Sequence, residues 1–215
     1  MEKTILNLEG SEDFFTKESY KALRTNLLFC GRDIQIVAVT SYRENEGKTT
    51  VVLNLAQSLA ELGKRVLVID ADMRKSVMAG RHTRAKHPAG LSEILTGMVK
   101  LSDGLYCTQN ENLHIIFSGK YPPNPVELLS GKYFAQLIEE TRRVYDYVLI
   151  DTPPLGQVID AATVAPICDG TVLVMAHNSV RFKQAVRMIE QLKKGGCKIL
   201  GVVRNHIVAD RGFGR

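Results

Sequence analysis

Gly47, Lys48 and Thr49 lie in the stretch SYRENEGKTT, between the apolar run IVAVT and the helical-looking run VVLNLAQSLAEL. They match the end of GxxxxGK[ST], a loop in which backbone N–H groups and a helix N-terminus bind phosphate oxygens. In such a loop Lys48 reaches the β and γ phosphates, Thr49 offers its hydroxyl to Mg2+, and Gly47 and Thr50 complete the cradle. Three carboxylates at other apolar run ends suit the same chemistry. Asp70 and Asp72 follow VLVI, two residues apart, so that in an extended strand end they share a face, and Asp151 ends YVLID ahead of Thr-Pro-Pro. Hard oxygen ligands for Mg2+ and a carboxylate to orient or deprotonate an attacking group are the needs of phosphoryl transfer.

The loop itself departs from the common pattern. Tyr42 stands at the first glycine position, and Asn45 is one of the few side chains that tolerate left-handed backbone. Glu44 and Glu46 bring negative charge towards a triphosphate, which weakens binding unless they turn away or reach the metal through water. Arg43 is the cation of this half of the loop.

These residues need a scaffold that gathers strand ends. The strand candidates are IQIVAVT (34–40), RVLVIDA (65–71), LHIIFSG (113–119), DYVLID (146–151), GTVLVMA (170–176) and KILGVV (198–203), most of them Val- and Ile-rich without polar alternation, as strands buried on both faces are. Helical segments fall between them at 47–62, 91–96, 131–144 and 179–194, the last with Phe182, Val186, Ile189 and Leu192 on one stripe. Alternation of this kind predicts a doubly wound, mainly parallel α/β sheet with helices on both faces. Residues 18–29 form a further helix ahead of the sheet, the first seventeen are expected to lack structure, and 207–215 form a flexible tail.

The 215 residues, 45% hydrophobic and 24% charged, suit a single domain spanning 1–215. No apolar run nears the roughly 18 residues that cross a bilayer, and the N-terminus lacks the layout of a secretory signal, so a cytoplasmic protein is expected. Cys30, Cys107, Cys168 and Cys197 are scattered, which predicts buried free thiols rather than disulfides or zinc. The net charge of +5 is concentrated in RKSVMAGRHTRAKH (74–87), with five Lys/Arg and no acid. It reads as a solvated loop or a docking patch for acidic groups. No aromatic residue interleaves these charges, and nucleic acid is not expected as a partner.

Taken together the motifs resemble the bacterial tyrosine kinases of capsule and exopolysaccharide synthesis, from about residue 18 to 207. EGKTT is similar to the Walker A motif of that family, VLVIDADMRK to its Walker A′ motif, and YDYVLIDTPP to its Walker B motif; GLSEILTG, PPNPVELL and GVVRN also fall where family segments do. The resemblance implies a P-loop fold of the deviant, MinD/ParA-like type, with ATP and Mg2+ as cofactors. It implies that Lys48, Asp70 and Asp72 are catalytic, with Asp72 activating a tyrosine hydroxyl, and that Thr49, Asp70, Asp72 and Asp151 hold the metal. Arg43, Asn45, Glu46, Gly47, Lys48, Thr49 and Thr50 would line the nucleotide, with Asn205 near the adenine.

ESYKALRTNLLF resembles the family's ExxRxxR oligomerisation helix, through Glu18, Lys21 and Arg24. Lys21 replaces an arginine there and lacks its bidentate geometry. The implied partners are protein tyrosines, further copies of the chain in a ring, and the cytoplasmic tail of a transmembrane chain-length-regulator adaptor, which would hold the kinase at the inner face of the plasma membrane. Members usually end in a tyrosine cluster, whereas all seven tyrosines here precede residue 150. Self-phosphorylation then uses another tyrosine, the substrate is a different protein, or the sequence is a piece. Two other readings share the loop. A MinD/ParA-like ATPase switch would carry its signature lysine at the position of Arg43, and a kinase-like regulatory subunit would bind ATP without transferring phosphate.

Overall fold

Runs of Val, Ile and Leu without polar alternation need cover on both faces. The computed structural model describes residues 5, 6, 8, 13–83, 88–155 and 163–207. They contain β1 (Ile5–Leu6), β2 (Ile36–Ser41), β3 (Val66–Asp70), β4 (Tyr106–Thr108), β5 (Leu113–Ile116), β6 (Tyr147–Asp151), β7 (Gly170–Ala176) and β8 (Ile199–Asn205). These form one sheet in the order β1-β4-β5-β3-β6-β2-β7-β8. Strands from β5 to β8 run parallel, while β4 runs antiparallel to β5 and carries β1 beside it.

The helices are α1 (Phe14–Phe29), α2 (Lys48–Glu61), α3 (Met78–His82), α4 (Leu91–Leu95), α5 (Leu101–Gly104), α6 (Pro125–Ser130), α7 (Lys132–Val144) and α8 (Phe182–Lys194). Alternate strand residues load opposite faces. Val37, Val39, Val66, Val68 and Leu149 pack against Leu27 of α1 and Val51, Leu55 and Leu59 of α2. Ile36, Ala38, Leu67, Ile69, Val148 and Ile150 pack against α4 and α7 through Leu91, Leu95, Phe134 and Leu137. The chain winds from β2 past β6 to β3 on one side and returns to β7 on the other, so the crevice at the carboxyl end of β2 is where ligands bind in such sheets.

Several expectations need correction. The first seventeen residues are not without structure: Ile5 and Leu6 pair with Cys107 and Thr108, and α1 begins at Phe14 rather than Glu18. Asp13 caps it, its carboxylate accepting from the Thr16 N–H at 2.9 Å. The stripe of α8 is not uniformly inward, because Phe182 is 82% exposed while Met188 and Leu192 are buried. KILGVV is not buried on both faces. As β8 it is an edge strand with half-buried and exposed side chains, and it runs on to Asn205. The cysteines are free, but only Cys197 is buried and the other three are partly exposed.

The basic run is not all loop either, since α3 forms within it around the buried Met78. Residues 84–87 of that run and 208–215 of the expected tail lie outside the described residues. Among the described residues no helix is long and apolar enough to cross a membrane.

Candidate active site

The loop between β2 and α2 is held by its own acid. Glu46 is almost fully buried, and its Oε2 accepts from the N–H groups of Tyr42 and Arg43, both at 2.8 Å. Its Oε1 accepts from the Ser179 hydroxyl, which ties the loop to the turn after β7. From the other side Asn205 at the end of β8 donates to the Glu46 carbonyl at 2.9 Å. Asn45 takes the left-handed backbone for which asparagine is suited, with φ 62°. Gly47, at φ 82°, is the N-cap of α2, and a β-carbon there would collide with the Asn205 amide. The bend without a first glycine is therefore built from one carboxylate and two left-handed residues.

Glu44 and Glu46 both line the cavity behind the loop, but each carboxylate already has a partner. Glu46 is spent on the loop backbone, and Glu44 turns out to the exposed Lys75 ammonium at 2.8 Å. Arg43 is exposed, its guanidinium 5.8 Å from the Tyr42 ring centre.

Behind the loop lies a cavity of about 500 Å³, lined among others by Arg43, Thr49, Thr50, Asp72, Ser76 and Asp151. Lys48 is buried and its ammonium pairs with Asp151 Oδ1, while the Thr49 hydroxyl donates to Asp151 Oδ2 at 2.7 Å. Asp70 is the register partner of Asp151 on the adjacent strand, and both are buried. Burial pushes the Asp70 carboxyl up to about 7, the Asp151 charge adds to this, and the Ser76 hydrogen bond and Lys48 charge oppose it. Asp72 stands two residues beyond the strand end, its Oδ1 accepting from the N–H groups of Arg74 and Lys75 at 3.2 and 3.0 Å.

This donor set fits Mg2+. Two buried carboxylates with one buried lysine leave a surplus of negative charge, and the ligands are hard oxygens. Among the described residues no group of three or more His, Cys, Asp or Glu stands ready to hold a metal. Mg2+ usually takes one or two carboxylates and fills its shell with water and phosphate oxygens, so the Thr49–Asp151–Asp70 side provides what the ion would use.

The three residues of the resembled oligomerisation motif lie on α1 without forming one unit. Glu18 and Lys21 pair with each other at 2.7 Å, exposed, whereas Arg24 turns inward and donates to the Ser58 carbonyl of α2 at 2.7 Å. Ser76, Ser179 and the structural use of Glu46 had no signal in the sequence; each depends on segments that meet only in three dimensions.

A buried lysine at a helix N-terminus, a left-handed glycine before it and carboxylates on neighbouring strand ends are how phosphate-loop domains grip a nucleotide, and residues 34–200 match the AAA domain family. The chain is 42% identical over 192 residues to the tyrosine-protein kinase CpsD of Streptococcus agalactiae, covering 89% of this chain and 84% of that one. Its fold matches the kinase domain of the Escherichia coli tyrosine kinase ETK with a TM-score of 0.86 at 27% identity, covering 99% and 93% of the two chains. The septum site-determining protein MinD of Pyrococcus horikoshii, solved with Mg-ADP, gives 0.64 at 28% identity, covering 80% and 70%. The chain belongs to the bacterial tyrosine-protein kinase family.

Proposed function

We propose that this kinase transfers the γ-phosphoryl group of ATP, with Mg2+, to protein tyrosines. In this reading it works as the cytoplasmic partner of a transmembrane chain-length-regulator adaptor, at the inner face of the membrane, in capsular or exopolysaccharide synthesis and export. The observation that carries the reading is the buried Lys48–Asp151 pair beside the raised Asp70 carboxyl, at the end of a loop whose residues Gly47 to Thr50 line the cavity. Thr49, Asp151 and Asp70 would hold Mg2+, which would supply neutralisation of charge on the transferring phosphoryl group. Lys48 exchanges Asp151 for phosphate oxygens, Gly47 to Thr50 supply backbone donors, and Asp72 at the cavity wall accepts the tyrosine proton. Asn205 holds the loop in shape beside the nucleotide. Further copies assemble through α1, where Glu18 and Lys21 are exposed.

The test is incubation with γ-labelled ATP, Mg2+ and the adaptor's cytoplasmic peptide, followed by detection of phosphotyrosine. Label that survives in Lys48→Met, or no label on any protein, defeats the reading. If free phosphate is the only product, even with the adaptor peptide and a tyrosine substrate present, an ATPase switch is the better description.

A further inference from the structure

We propose that Tyr121 is a self-phosphorylation site, presented to the phosphate cavity of its own chain; this rests on the kinase reading above. Tyr145 and Tyr147 are buried and Tyr20, Tyr42 and Tyr106 partly so, which leaves Tyr121, 57% exposed, and Tyr133, 59% exposed, as the accessible phenols. Tyr133 lies on α7 with the Lys132 ammonium over its ring. Tyr121 touches a residue of the cavity wall: its hydroxyl donates to the Ser76 carbonyl at 3.0 Å. Ser76 lines the cavity, and its own hydroxyl donates to Asp70. One residue thus links the phenol to the carboxylates, and the charges of Asp70 and Asp72 reinforce burial in pushing the Tyr121 hydroxyl above its ordinary value.

The segment that carries Tyr121 is stiff. The Lys120 N–H donates to Glu93 at 3.1 Å, and the same carboxylate takes the Gly90 N–H and the Ser92 hydroxyl at 3.0 Å each. Gly119 has φ 77°, and a β-carbon there would collide with Glu93. Pro122 and Pro123 follow and fix the chain beyond. A side chain held at the rim by one neutral hydrogen bond has only to turn about its own bonds to leave the carbonyl.

In the transfer, the Tyr121 oxygen forms a bond to the γ-phosphorus, the bond from that phosphorus to the β–γ bridging oxygen breaks, ADP departs, and the phenol proton passes to the Asp72 carboxylate. The product dianion faces a rim that carries Arg74, Lys75 and Arg81, cations that hold a phosphotyrosine where a neutral phenol stood.

Trypsin cuts after Lys120 and Lys132, giving YPPNPVELLSGK, in which Tyr121 is the one tyrosine. The full chain is treated with γ-labelled ATP, Mg2+ and the adaptor's cytoplasmic peptide alongside an added tyrosine peptide, and the digest is mapped. Phosphotyrosine on YPPNPVELLSGK, retained in Tyr133→Phe and lost in Tyr121→Phe, is the expected result. Phosphotyrosine on the added peptide without any on YPPNPVELLSGK overturns the proposal and leaves the kinase reading intact; none anywhere defeats both. In a mixture of Lys48→Met with Tyr121→Phe, label on YPPNPVELLSGK would show transfer between chains and overturn presentation within one chain. Without turnover, the 13Cζ tyrosine signal absent from Tyr121→Phe is expected to shift on adding ADP and Mg2+, and a signal that stays in place also counts against the proposal.

Discussion

The two ends of the sheet each hold an acid with a basic partner, but one is balanced and the other is not. At the amino ends of the strands, Asp169 accepts from the N–H groups of Gln35 and Ile36 at 2.9 and 2.7 Å and from both terminal nitrogens of Arg142 at 2.9 and 3.0 Å. Burial pushes Asp169 up, yet Arg142 and the two backbone groups hold its carboxyl below the usual carboxylate range. At the carboxyl ends, Asp151 has Lys48 and Thr49, and Asp70 has only neutral donors, the Ser76 hydroxyl and the Asp72 N–H, beside the like charge of Asp151. An acid met by an arginine and two backbone donors holds a fold together, whereas a pair of acids short of positive charge suits a cation and an anion that arrive together.

Substitutions separate the two ends, and the largest effect is expected at the unbalanced one. Lys48→Met should lower phosphotyrosine formation at least about 100-fold, the loss that follows removal of a preorganised charge donor, as read by labelled transfer. At the balanced end, Arg142→Met should cost about 2 kcal/mol, below the 3–5 kcal/mol of a fully buried pair because the arginine is partly exposed. For a domain of this size that is roughly a 4–8 °C drop in Tm, with the nucleotide affinity of the folded protein unchanged.

Asp70→Asn sharpens the contrast through pH. The folded carboxyl is raised to about 7 from 3.8, so its contribution to stability is full below pH 4 and is lost as pH rises through 7. In metal-free protein the asparagine variant should therefore gain several degrees in Tm on the parent at pH 8, and the advantage should vanish by about pH 4. Glu44→Gln is expected to do least. Its partner Lys75 is exposed, so thermal melts should coincide and the KM for ATP should stay within about twofold.

How much could be seen in the chain follows from sequence distance. EGKTT, Asp70, Asp72 and Asp151 were legible because each sits beside the apolar run that positions it, and a parallel sheet brings run ends together at one edge. The hydrogen bonds that shape the cradle were not, since Ser179 and Asn205 meet Glu46 across separations of 133 and 159 residues. The acids Glu44 and Glu46 look alike in the sequence and differ only in what folds over them. β1 is two residues long and has no period to read. Phe182 falls on the stripe of α8 because periodicity tells which residues share a face; it carries no word on whether the sheet extends beneath them.

The fastening of Glu46 to Ser179 and Asn205 also sets an order of events. Lys48, Asp70 and Asp151 all lie before the end of β6, but two of the bonds that shape the cradle come from Ser179 and Asn205, so that shape needs the chain through residue 205, with β8 docked on β7. A nascent or clipped chain that ends short of that asparagine would carry every signature residue in a slack loop, so tight grip on a nucleotide marks a chain that has been made and folded through to its last described strand.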